Sequence, residues 1–347
     1  MADAFPRFAV KAVMSLPTPI LRLLAGGGVV YQGGRTLDPH FQFLTAAAQH
    51  LPKLYTLSAA EARAASAQGL TGVAGKREPG VRVEDFTIDG PGGDLPVRAY
   101  RPADQDPNAP LMVFAHFGGG VIGDLETCDA FCSIIARIAR CAVLSVDYRL
   151  APEHKYPAGL EDTLAAYRWA RENTARFGAP EGKVAIGGDS MGGNFSAILA
   201  QEMKRNGEPQ PALQLLIYPA VDVSSETQSM ITYADSYPLS RQIMDWFMGH
   251  YMGPEDNPDD PRLSPLEETD LSGLAPAIVI TAGFDPLVDQ GECYAHRLKD
   301  AGVPVIYRCY DSLAHGFTAF TGAVPAADVA CREIAGFVRQ AYDGMLH

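Results

Sequence analysis

The pentapeptide Gly188-Asp189-Ser190-Met191-Gly192 is wedged between two segments of different character. Before it, Lys183-Val184-Ala185-Ile186 reads as a short buried strand, and after it Asn194 to Ala200 reads as a helix with a broad apolar face. A serine on so sharp a strand-to-helix turn is held in strain, with its hydroxyl projecting from the top of a sheet. The flanking glycines allow approaches that any Cβ would block. A glycine-rich helix start without chemistry can carry the same pattern, so the rest of the chain has to decide.

Strands and helices alternate around this turn. Val81 to Ala99 reads as a hairpin turning at Gly90-Pro91-Gly92-Gly93, followed by a strand at Leu111 to Ala115 and a helix from Leu125 to Arg140. Next come a strand at Ala142 to Val146, a helix from Pro157 to Arg176, the Ser190 unit and a strand at Leu213 to Ile217. The series closes with strands at Ile278 to Thr281 and Val305 to Tyr310, separated by a helix from Leu287 to Ala301, and a last helix from Ala326 to Gln340. Apolar strands regularly separated by helices imply an α/β fold with a mainly parallel sheet covered on both faces. Residues 1–80 read as mostly helical, with a capping box at Ser58 to Glu61 opening a helix that runs to about Gln68. The rhythm breaks once, over residues 218–273, where Met, aromatic and proline residues concentrate. The units expected are therefore an α/β body in two parts, 81–217 and 274–347, a helical segment 1–80, and an insertion 218–273 leaning over the carboxyl edge of the sheet.

A net charge of −13 over 347 residues opposes binding to nucleic acid or an anionic membrane. The apolar run Ala12 to Leu21, flanked by Lys11 and Arg22, contains Pro17 and Pro19 and is too short to span a bilayer. It reads as a segment docking on the protein's own surface, not as a signal peptide. The six cysteines form no C-x-x-C pair, and the eight histidines form no metal-binding pattern. Reduced cysteines, a cytoplasmic location, no metal and no cofactor are expected. A homodimer remains open.

Serine needs a neighbouring base, and the base needs an orienting acid. Asp285 follows the strand ending at Thr281 and His315 follows the strand ending at Tyr310, which gives the chain order serine, acid, histidine. Asp289 and Asp311 are the rivals to Asp285. Asp289 falls where the next helix starts, and Asp311 is close to His315 in sequence. For the oxyanion, His116-Phe117-Gly118-Gly119-Gly120 follows the strand Leu111 to Ala115. The amides of Gly118, Gly119 and Met191 are the candidate donors. A phosphate-cradling loop is the competing reading, but no Walker lysine or ribose-binding acid accompanies it.

These residues resemble a known family. His116 to Asp124 (HFGGGVIGD), Asp147 to Asp162 (DYRLAPEHKYPAGLED), Gly187 to Asn194 (GGDSMGGN), Asp285-Pro286-Leu287 and His315-Gly316-Phe317 are similar to motifs of the hormone-sensitive-lipase-like, or bacterial family IV, esterases. These belong to the α/β-hydrolase superfamily. The resemblance implies an eight-stranded sheet forming the catalytic domain, a helical cap built from residues 1–80 and the insertion 218–273, and carboxylester hydrolysis, with a triad on Ser190, Asp285 and His315. Two departures stand out: Phe117 replaces the first loop glycine while Gly120 replaces an aromatic, and Met191 replaces an alanine.

The activity expected is serine carboxylesterase action on a short- to medium-chain acyl ester. Amide or lactone hydrolysis by the same triad, and a silent small-ligand receptor on the same fold, are the alternatives. Phe117, Trp246, Phe247 and Phe317 are the candidate pocket residues. Met191 and the stretch Ile243 to Met252 are expected to fill much of the space above Ser190.

Overall fold

The computed structural model describes residues 12–345. Lys11 and the residues before it, part of the segment read as docking on the surface, lie outside that range. Eight strands form the central sheet: β1 (Val81–Gly90), β2 (Gly93–Pro102), β3 (Leu111–Ala115), β4 (Val143–Val146), β5 (Val184–Asp189), β6 (Gln214–Ile217), β7 (Ala277–Phe284) and β8 (Val305–Ala314). They lie in the order β1-β2-β4-β3-β5-β6-β7-β8. Only β2 runs antiparallel to its neighbours β1 and β4; every other pairing is parallel.

Both faces of the sheet are covered, which explains the continuous apolar strands. In β3, Leu111 and Val113 pack into one core layer while Met112 and Phe114 pack into the other, all with no exposure. Successive strand side chains point to opposite faces, so a strand buried on both must be apolar throughout. On one face lie helix α1 (Asp129–Ala139), against which Phe114 meets Phe131 edge-on with centroids 5.8 Å apart, and the terminal helix Pro325–Tyr342. Across the sheet lie α2 (Ala158–Glu172) and α3 (Met191–Arg205), whose Leu160, Phe195 and Ile198 pack under β3 and β5. Helix α4 (Val288–Asp300) packs on β7 through Tyr294 and Leu298.

The amino-terminal segment contains helices at Thr18–Leu24, Pro39–Ala48 and Ala59–Val73. The third carries the expected capping box, with Ser58 and Glu61 satisfying each other's backbone amides, but runs on to Val73. A two-stranded hairpin, Tyr31–Gln32 with Arg35–Thr36, interrupts the helical reading. The insertion folds as helices Gln228–Thr232 and Arg241–Tyr251. It meets the amino-terminal hairpin where the Tyr233 hydroxyl donates to the Gln32 carbonyl at 3.2 Å.

Phe131→Ala should remove about 3–5 kcal/mol of stability, since it empties a fully packed site under the sheet. Ester turnover per folded molecule should stay unchanged. A denaturation midpoint unmoved by the substitution would show that this layer does not hold the fold.

Candidate active site

Ser190 follows β5 and caps α3, with φ 55° and ψ −115°, a conformation that side chains rarely adopt. Its N–H donates to the Ile217 carbonyl at 2.8 Å, which ties the turn to the end of β6. Neither neighbouring glycine has room for a side chain. A Cβ on Gly188 would lie 2.3 Å from the Gly192 backbone, and one on Gly192 would lie 2.0 Å from the Ala115 carbonyl oxygen. The crossing of strand, turn and helix is that close.

The loops after β7 and β8 bring Asp285 and His315 to this serine. His315 Nδ1 lies 2.7 Å from Asp285 Oδ2, and His315 Nε2 lies 2.9 Å from Ser190 Oγ. A carboxylate can only accept, so Nδ1 carries the proton and Nε2 is left to accept from the serine hydroxyl. Asp285 has no exposure, and its second oxygen accepts the Leu287 N–H at 2.9 Å. The two rival aspartates are engaged elsewhere: Asp289 accepts the Ser229 N–H at 2.7 Å, and exposed Asp311 pairs with Arg35 at 3.1 Å.

Gly118, Gly119 and Met191 all line the cavity beside Ser190. Among the described residues none of their N–H groups has a hydrogen-bond partner. Gly118, Gly119 and Gly120 are all left-handed, with φ of 129°, 63° and 72°. Phe117 is not, so the backbone tolerates a side chain there, and Phe117 lines the cavity. A Cβ on Gly120 would sit 2.6 Å from the ring of Tyr251. The insertion helix thus supplies the aromatic that the loop lacks.

Beneath the site lies a buried polar group that the sequence reading passed over although it sits within the motif. Asp189 has no exposure, and its Oδ2 accepts hydrogen bonds from the Tyr218 hydroxyl at 2.9 Å and the Thr318 hydroxyl at 2.7 Å. Burial pushes its carboxyl up to about 6. The Tyr218 ring in turn lies 4.7 Å from the His315 ring, centroid to centroid.

This geometry has relatives of known kind. A family described as the alpha/beta hydrolase fold matches residues 112–319. The carboxylic ester hydrolase LipN of Mycobacterium tuberculosis is 43% identical over 318 residues, covering 89% of this chain and 84% of that protein. An ethyl acetate hydrolase of Pseudomonas putida is 35% identical over 279 residues, 79% of this chain and 88% of its own length. The chain belongs to the α/β-hydrolase family. Among solved structures, the ester-hydrolase EH1AB1 from the metagenome of Lake Arreo, complexed with a bipyridine phosphonate derivative, superposes with a TM-score of 0.85. It is 39% identical, with 88% of this chain and 99% of that one covered. Within the family this chain is a carboxylic ester hydrolase of the hormone-sensitive-lipase-like kind.

As in an α/β-hydrolase generally, the cavity opens outside the carboxyl ends of the strands. Its volume is about 1160 Å³, bounded by the amino-terminal segment and the insertion as well as by Ser190 and His315. The space above Ser190 is therefore not filled as expected: Ile243, Met244, Phe247 and Met248 form a wall rather than a plug. These four share one face of their helix, at spacings of four. Two expected pocket residues fall outside it. Trp246 points off that face and packs against His250, with centroids 4.3 Å apart. Phe317 is fully buried under the site between Tyr218 and Tyr310, because the turn after His315 directs it into the core.

Met191 lines the cavity yet is only 2% exposed. Met191→Ala should raise the ratio of bulky-ester to small-ester rates, because it enlarges the cavity and leaves the backbone N–H in place. A stability loss within the range of about 2–5 kcal/mol for such truncations should accompany it. Melting temperature and the rate ratio measured together decide the matter; a fall in the first with no change in the second would make Met191 core packing alone.

Proposed function

We propose that this chain hydrolyses short- to medium-chain carboxylic esters through an acyl-enzyme intermediate, with Ser190 as nucleophile, His315 as general base and acid, and Asp285 as the orienting acid. The observation that carries the reading is the unbroken line from Asp285 Oδ2 through both ring nitrogens of His315 to Ser190 Oγ, at 2.7 and 2.9 Å. His315 takes the Ser190 proton as the oxygen attacks the ester carbonyl, and the amides of Gly118, Gly119 and Met191 receive the oxyanion. Collapse expels the alcohol, which takes the proton from His315. A water, activated by the same nitrogen, then releases the acid and restores the serine.

The named relatives support esters over the amide, lactone and receptor readings. The described part of residues 1–80 and the insertion 218–273 form the cap in this reading, since both supply walls of the cavity. Among the described residues no helix is long and apolar enough to cross a membrane. All six cysteines are unpaired, which supports a cytoplasmic, reducing compartment.

Asp285→Asn should lower turnover by about 10⁴, the cost of a comparable change in another serine triad. Asp289→Asn should leave turnover nearly intact, because its carboxylate serves Ser229 instead. Steady-state kinetics on the two purified variants test this, and greater damage from Asp289→Asn would transfer the acid role to that residue. Chain-length preference is checked with a panel of linear esters. Each added CH₂ gains about 0.8 kcal/mol only while the cavity has room, so rates should rise and then fall. A steady climb from acetyl to palmitoyl would contradict a capped site.

A further inference from the structure

Resting on the reading above, we propose that Arg63 is a positioning residue for the oxyanion loop, acting from the amino-terminal helix through the peptide planes that follow Gly120. Arg63 lies on Ala59–Val73, the helix whose Ala65, Ser66 and Gly69 line the cavity. Its guanidinium reaches away from the cavity toward the loop. Nε donates to the Val121 carbonyl at 2.8 Å, and Nη2 donates to the Ala151 carbonyl at 2.7 Å. Glu153 holds the outer edge of the same fork, with Nη1 to Oε1 at 3.1 Å and Nη2 to Oε2 at 2.5 Å.

The consequence follows from peptide planarity, since each plane contains the carbonyl of one residue and the N–H of the next. The Gly119 N–H, a proposed oxyanion donor, shares its plane with the Gly118 carbonyl. That carbonyl accepts from the Val121 and Ile122 N–H groups, each at 3.0 Å. The Ile122 N–H shares its plane with the Val121 carbonyl, the group that Arg63 Nε holds. Arg63 therefore stands two planes from the donor. A second path reaches the same loop: the Ala151 N–H donates to the Gly120 carbonyl at 2.8 Å, and Arg63 fixes the Ala151 carbonyl.

The other ties on the loop come from the sheet side. The Tyr148 hydroxyl donates to the His116 carbonyl at 2.8 Å, and the His116 ring donates from Nδ1 to the Phe117 carbonyl at 2.7 Å. Three consecutive left-handed glycines give the backbone freedom to rotate, so the loop depends on such ties. Arg63 is the tie that makes the loop's geometry depend on the docking of the amino-terminal helix. Planar, forked donation to two carbonyls is guanidinium chemistry that a lysine cannot reproduce.

The test compares Arg63→Gln, Arg63→Lys, Arg63→Ala and Glu153→Gln for kcat, KM and melting temperature. Arg63→Gln should lower kcat by about tenfold to a hundredfold, less than the 10²–10³ lost when a true oxyanion donor is deleted. KM should stay near the wild-type value, because ground-state binding does not use the loop amides. Arg63→Lys, which keeps one donor and the charge, should fall between. Glu153→Gln, which leaves both carbonyl contacts in place, should keep wild-type kcat. Adding guanidinium at sub-denaturing concentration to Arg63→Ala should restore part of the lost kcat, a rescue that a merely structural role would not show. Wild-type kcat in Arg63→Gln, or equal damage from Glu153→Gln, overturns the proposal. A wild-type protein without ester turnover would instead overturn the functional reading itself.

Discussion

The backbone of Ser190 is the constraint on which the rest of the site depends. A φ of 55° at a residue with a side chain costs on the order of 1–3 kcal/mol and persists only where its surroundings over-determine it. Here the surroundings do so from three directions. The Ser190 N–H is held by Ile217 on β6, and the Ser190 carbonyl accepts from Asn194 at 3.0 Å as α3 begins. The third is the contact of Gly192 with the Ala115 carbonyl at the end of β3. Three adjacent strands thus meet at one residue. Ser190, the start of its helix and the first residues of the loop after β3 consequently share a fixed frame.

Below that frame, Asp189 joins the Ser190 turn to the His315 loop. Tyr218 follows β6 and Thr318 follows His315 by three residues, and both hydroxyls bond the same carboxylate oxygen. Its burial has a stability cost when charged. A carboxyl raised to about 6 stabilises the fold most at pH values below the ordinary carboxylate range, and that contribution is lost as pH rises through about 6. Three donors favour its charged form against that burial, the third being the Cys128 thiol at 3.5 Å.

Much of this was legible in the sequence because β3, β5, β6 and β7 are buried on both faces and carry largely apolar runs between helices of strong period. The order of Ser190, Asp285 and His315 along the chain was legible for the same reason, each residue closing a recognisable strand. What escaped had no local signature. The hairpin at Tyr31–Thr36 has two residues per strand, too few for a period of two to appear. Trp246 and Phe317 are expected as pocket residues, but helix phase turns one aside and a tight turn buries the other. Tyr251 over Gly120, Arg63 over Val121 and the Tyr218–Asp189–Thr318 cluster join residues far apart in sequence. Only the assembled sheet and the segments over its edge bring them into contact.

The most direct measurement is covalent trapping at Ser190, the proposed nucleophile. Incubation with a reactive organophosphonate, followed by peptide mapping by mass spectrometry, should place one phosphonyl group on the peptide containing Ser190, with ester hydrolysis lost in proportion to labelling. Complete labelling with activity retained, or labelling of any other residue in step with inactivation, would contradict it.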